Sequence, residues 1–185
     1  GPFPNFEGSI YDVPGGIKLR NSTVTTVAPT GTISIIADAS SGIEPIFALA
    51  YVRRVVDGED LLVVHPLFKQ MAIDAGIYNP DLLQTLLQRG SIQTLTEIPR
   101  RMRELFVTAH DVTPEWHVRV QAAFQKYVDN AVSKTINLPA SATKDEVREA
   151  FTLAYKLGCK GITVFRTGSR GRQVLDLNIW CPSCL

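Results

Sequence analysis

Three helix starts are written into this chain by cap chemistry, and short β-branched runs lie between them. That alternation limits the available folds more than any other feature. Asn79-Pro80 and Thr113-Pro114 each put an N-cap side chain before a proline at the first helical position, where no N–H is needed. Thr143-Lys144-Asp145-Glu146 is a capping box, with Glu146 at the third helical position. After the first start, Leu82, Leu83, Leu86 and Leu87 repeat at helical spacing up to Gly90. After the second, Trp116, Val120, Ala123, Phe124, Tyr127, Val128 and Ala131 form an apolar stripe expected to face a core. The third helix runs to Leu157 and stops at Gly158. Two further helices are expected, one opening at His65-Pro66 and carrying Leu67, Phe68, Met71 and Ala75, the other from Pro99 to about Phe106.

The runs between the helices read as strands: Ser22–Val27, Ile46–Val56, Ser133–Leu138 and Cys159–Arg166, with a short helix over Ile33–Ala39 after the first. Strands alternating with helices favour an α/β class in which helices cover the strands. Three or four strands are too few to close a barrel, so the expectation is part of a larger sheet. Hydrophobic residues make up 45% of the 185, enough for a buried core. No apolar run reaches the roughly 18–20 residues of a membrane helix. Lys and Arg number 19 against 18 Asp and Glu, which argues against a non-specific nucleic-acid surface. Three cysteines are too sparse for a disulfide framework and fit a reducing cytoplasm. Residues 1–20, rich in Gly and Pro, read as an irregular arm, residues 21–172 as the folded body, and 173–185 as a tail carrying a CxxC. A chain that stops one residue after that CxxC reads as part of a longer protein.

Five segments carry candidate chemistry. In Pro29-Thr30-Gly31-Thr32-Ile33-Ser34 a strand enters a glycine turn and then a helix, whose free N–H groups make an anion site. Gly31 would let a ligand approach the backbone, and Thr30, Thr32 and Ser34 add hydroxyls. On spacing alone an ordinary capped helix is the better account of the same residues. Glu44 lies in an apolar stretch and needs donors, as a structural anchor or a site acid. His65, His110 and His117 form no metal-binding spacing and read as satisfied or surface groups. Arg166–Arg172 is a basic turn, able to touch phosphate or simply solvated. Cys181 and Cys184 form C-P-S-C, either a dithiol or half a zinc site, while Cys159 reads as a small buried residue.

Three stretches carry a family resemblance: RNSTVTTVAPTGTISIIADASSGIEPIFALAYVRR (20–54), TPEWHVRVQAAFQKYVDNAVSKTINLP (113–139) and GCKGITVFRTGSR (158–170). In order and spacing they resemble the C-terminal half of the class II, adenosylcobalamin-dependent ribonucleotide reductases. The resemblance implies the C-terminal portion of a ten-stranded α/β barrel, with helices packed outside a few strands. It implies a cobalamin-initiated thiyl-radical reduction of a ribonucleoside diphosphate. The segment matching Pro29–Ile33, with Ser34 beside it, would hold the substrate phosphates. It implies as partners the N-terminal part of the reductase and a thioredoxin-type reductant, and a homodimer when complete. It implies neither a membrane nor a nucleic-acid partner. The finger-loop motif with its radical cysteine is absent, so no catalytic residue is assigned here and the chain alone is expected to be inactive. Cys181 and Cys184 resemble the C-terminal dithiol that relays electrons. Two other expectations stand beside this one: a non-catalytic nucleotide- or phosphate-binding module, and a tail completing a structural zinc site.

Overall fold

The computed structural model describes residues 1–37, 39–54, 60–169 and 175–176. In chain order the elements are α1 (Gly31–Ile36), β1 (Ala50–Arg54), β2 (Asp60–Val64), α2 (Pro66–Asp74), α3 (Pro80–Arg89), α4 (Arg100–Leu105), α5 (Pro114–Gln125), β3 (Thr135–Leu138), α6 (Lys144–Lys156), β4 (Thr163–Arg166) and β5 (Leu175–Asp176). The helix starts form as their caps dictate. Asn79 Oδ1 accepts from the Leu82 N–H at 2.8 Å and Thr113 Oγ1 from that of Trp116 at 3.4 Å. Thr143 and Glu146 close the reciprocal capping box. His65 caps α2 through Nδ1, which accepts from the Phe68 N–H at 3.4 Å.

Two cores result. In one, Leu49 and Ala50 at the start of β1 pack with Phe68 and Ala72 of α2, Leu82 and Leu86 of α3, and Met102 and Phe106 around α4. Phe68 and Phe106 meet edge to face at 5.3 Å. In the other, β3 runs parallel to β4 and α6 makes the crossover between them. Alternation along β3 turns Ile136 and Leu138 inward, and the small Ala150 and Ala154 let α6 lie close on them. Among the described residues the strands form sheets of three (β2-β1-β5) and two (β3-β4), and no closed barrel. Helix and strand are mixed as expected.

Four expectations are corrected. Asp60–Val64 is a strand that the alternation argument did not find, paired antiparallel to β1 as a hairpin. Residues 22–27 form no ladder. Val27 makes an isolated bridge to Val132, and the extended chain is tied down by side chains of 129–130 instead. Leu175–Asp176, expected as tail, pairs with Arg53 and Val52 of β1.

The fourth correction concerns α5. It ends at Gln125, and the stripe of Trp116, Val120, Phe124 and Tyr127 faces outward, with Trp116 60% and Tyr127 85% exposed. The face turned inward carries His117, Val118, Gln121, Ala122 and Gln125. The reason is what the helix packs against. Gln121 Nε2 donates to the Val132 and Gly161 carbonyls at 3.0 and 2.7 Å, and Gln125 Nε2 to those of Val128 and Asn130 at 3.3 and 2.8 Å. The chain leading into β3 and β4 presents backbone carbonyls there, and only polar side chains can satisfy them.

Candidate functional site

The Pro29–Ser34 turn opens α1, as its residue types require. Ser34 N–H bonds the Thr30 carbonyl at 2.9 Å, which begins the helix, and Ser34 Oγ turns back to the Gly31 carbonyl at 2.7 Å. The N–H groups of Gly31, Thr32 and Ile33 make no bond to other described residues, as expected of a first helical turn. A Cβ built on Gly31 would meet nothing within 4 Å, so the space beside that residue's Cα is open. The strained backbone is one residue earlier than the glycine. Thr30 has φ 52° and ψ 22°, a left-handed conformation that costs a β-branched residue about 1–2 kcal/mol. Its Oγ1 is buried and has no hydrogen-bond partner among the described residues. No residue of α1 is buried, and Ile33, Ile35 and Ile36 are exposed.

The segment carrying this turn begins and ends on one strand. At its start, Val27 bridges Val132, and the Val27 carbonyl accepts from the Ser133 N–H at 2.8 Å. At its end, Glu44 accepts from the Thr135 N–H at 2.5 Å and from Lys134 Nζ at 2.7 Å. Lys134 is 2% exposed, and its ammonium has three acceptors for its three protons. These are Glu44, Nδ1 of His117 at 2.7 Å and the Thr135 carbonyl at 2.6 Å. A carbonyl only accepts, so His117 Nε2, 2.9 Å from the Ala109 carbonyl, carries the imidazole proton and Nδ1 is the acceptor for Lys134. Burial and the adjacent ammonium push His117 below the ordinary histidine value, which keeps it neutral. Burial pushes Lys134 down as well, and the Glu44 carboxylate opposes this.

The sequence pattern did not single out Lys134, Gln121 or Gln125. A signal for Lys134 exists in the period of two: it shares a face with Ile136 and Leu138, and Glu44 in its apolar stretch calls for a cation. His110 packs edge to face on Phe47 at 5.7 Å and lies near enough to His117 to help hold that imidazole below its ordinary value. Among the described residues no three His, Cys, Asp or Glu side chains cluster to hold a metal. Arg166 donates to the Ala140 carbonyl at 2.8 Å, while residues 170–172 of the basic turn lie outside the described residues. Cys159 packs on the second core, where burial pushes its thiol pKa up and leaves it a poor nucleophile. Cys181 and Cys184 also lie outside the described residues. No described helix is long and apolar enough to cross a membrane.

The family model for the ribonucleotide reductase barrel domain matches residues 16–165. The chain belongs to that family. It is 50% identical, over 95% of its length, to a vitamin B12-dependent ribonucleoside-diphosphate reductase of Thermoplasma acidophilum, of which it covers 22%. It is 49% identical to a protein of the same description in Mycobacterium tuberculosis, again over 95% of this chain and 25% of that one. A vitamin B12-dependent ribonucleotide reductase of Streptantibioticus cattleyicolor is 30% identical over 86% of this chain and 28% of its own. This reductase segment therefore spans about a quarter of the length of the curated relatives it matches. The class Id ribonucleotide reductase alpha subunit of Actinobacillus ureae shares the fold, with a TM-score of 0.68 at 21% identity over 82% of this chain and 28% of that one.

Proposed function

We propose that this chain is the substrate-phosphate-holding segment, from the C-terminal part of the barrel, of an adenosylcobalamin-dependent ribonucleoside-diphosphate reductase. The observation that carries the reading is the turn at Pro29–Ser34. Three amides, at Gly31, Thr32 and Ile33, are unengaged among the described residues at the start of α1, with Thr32 adding a hydroxyl to the same turn. Such amides bind anions through their N–H dipoles, and no lysine or arginine is required. The names of the half-identical relatives supply the substrate class, a ribonucleoside diphosphate.

The donor set of this turn suits an anion and offers nothing that would grip a corrin ring. When bound, adenosylcobalamin supplies the radical that begins the reduction, and that chemistry belongs to parts of the reductase other than this turn. The work of these residues is positioning. Phosphates fixed at Gly31–Ile33 hold the ribose in register with the reacting groups, which converts binding into orientation. Glycine at position 31 serves the ligand, since neither a positive φ nor a packing contact requires it there. Thioredoxin-type reductants acting through Cys181 and Cys184, a homodimeric assembly and a cytoplasmic location complete the proposal.

The test is Gly31→Val in the complete reductase. The added branches crowd the ligand's approach to the amides, and KM for the ribonucleoside diphosphate should rise about tenfold or more. An unchanged KM removes the phosphate assignment. Turnover by the 185-residue chain alone, given adenosylcobalamin and a dithiol, would overturn its role as a segment. Diphosphate binding without turnover, even after the rest of the reductase is supplied, would point to a non-catalytic module.

A further inference from the structure

The helix that follows the phosphate turn has no buried residue, so its position relative to the rest of the fold is set by the two ends of the segment that carries it. Both ends are fixed on residues 132–135. The entry at Val27 is held by backbone pairing to Val132 and Ser133. The exit at Glu44 is held by side chains, and its bonds form a closed circuit. Glu44 binds Lys134, Lys134 donates to His117, and His117 donates to the Ala109 carbonyl. The Ala109 N–H returns to the Ile46 carbonyl at 2.8 Å, two residues beyond Glu44. Every link is buried or half-buried, and each Lys134 proton has one acceptor, so the circuit has one arrangement.

The exit also touches the turn. The Glu44 N–H bonds the Ser41 carbonyl at 3.1 Å and makes 41–44 a tight unit. Within it, Gly42 has φ +52°, and a Cβ there would stand 3.2 Å from the Ala28 carbonyl and 3.8 Å from Thr30 Oγ1. Gly42 therefore lies beside Ala28 and the Thr30 side chain, and a shift of Glu44 that moves Gly42 changes the surroundings of the turn.

From this geometry we propose that Lys134, with Glu44 and His117, is a positioning group for substrate phosphate, fixing the angle at which the Gly31–Ile33 amides meet the ligand. Lys134 does not touch substrate. Its charge is spent on Glu44, and it acts through the segment that Glu44 ends. The inference rests on the phosphate reading of the turn, and the experiment separates the two.

In the complete reductase, Glu44→Gln, Lys134→Met and the double variant are compared with the parent for three quantities. These are KM and kcat for a ribonucleoside diphosphate and the competitive inhibition constant of inorganic pyrophosphate, a probe of phosphate binding alone. Each single variant should raise KM and the pyrophosphate constant together by about tenfold. The double variant should be no worse than the worse single one, because one circuit is opened once. A fall in thermal midpoint with KM and pyrophosphate inhibition within about twofold of the parent would show that the circuit only stabilises the fold, and the proposal fails. Glu44→Gln keeps the volume and one acceptor, so if Lys134→Met does not fold, Glu44→Gln decides the matter alone. Gly31→Val is run in parallel. If it is effective while Glu44→Gln is silent, the positioning role falls and the phosphate site stands. If Gly31→Val is silent, the site itself falls and the positioning role with it.

Discussion

Lys134→Met gives the most direct measure of how firmly the segment from Val27 to Glu44 is held. The substitution keeps most of the stem and removes the ammonium, which has three hydrogen bonds of 2.6–2.7 Å. Glu44 then keeps only the Thr135 N–H, and His117 Nδ1 loses its donor. Breaking a buried pair from one side costs about 3–5 kcal/mol. The Glu44 side chain is 23% exposed and takes up water, so the lower end applies, about 3 kcal/mol. One decade in an equilibrium is about 1.4 kcal/mol, so amides that open with this contact should exchange about a hundredfold faster. The assay is native-state hydrogen exchange of the peptide containing Thr135 in the complete reductase. The structure also fixes an order. The Lys134 side chain is only 1% exposed, so Glu44→Leu strands the more deeply buried charge and must cost more than Lys134→Met. The double variant should cost less than the sum of the two. An acceleration under about fivefold for Lys134→Met, or the reverse order, would refute the assignment of the clamp to this ion pair.

Two further predictions concern α5 and pH. Gln121→Leu leaves the Val132 and Gly161 carbonyls without a donor and should cost about 1–3 kcal/mol, whereas Phe124→Ser on the outer stripe should change stability by no more than about 0.5 kcal/mol; thermal melting of the two variants compares them, and equal losses would refute the inverted face. His117 and His110 are both held below the ordinary histidine value, mainly by burial. The unfolded chain therefore binds protons on both as pH falls below about 6.5 while the folded chain does not, so the thermal midpoint should fall progressively from there down through the folded values. His110→Gln combined with His117→Gln should flatten that limb, and an unflattened limb would assign it to other groups.

Much of the local structure was legible in the sequence. Asn79, Thr113 and the Thr143–Glu146 box set their helix starts through contacts within three residues, and a cap needs nothing from the rest of the fold. The Gly31 turn was legible for the same reason. β2 was not, because five apolar-leaning residues become a strand only once β1 lies beside them. The direction of α5 was misread because hydrophobicity was taken as the whole of burial. Carbonyls of residues 128–132 and 161 lie against that helix, and they select Gln121 and Gln125 over the aromatics.

The same division runs through the site. Sequence alone determined the helix caps, the alternation that places Ile136 and Leu138 inward, and the glycine turn that opens a helix at Pro29–Ser34, all matters of neighbours along the chain. It also carried the family, through long matching stretches. The joining of Glu44 to Lys134 across 90 residues, the neutral tautomer of His117 and the return of the circuit through Ala109 to Ile46 belong to the tertiary structure. No period or spacing encodes them. They exist because a carboxylate and an ammonium brought into the same interior must find each other, or else leave a charge unpaired where water cannot reach it.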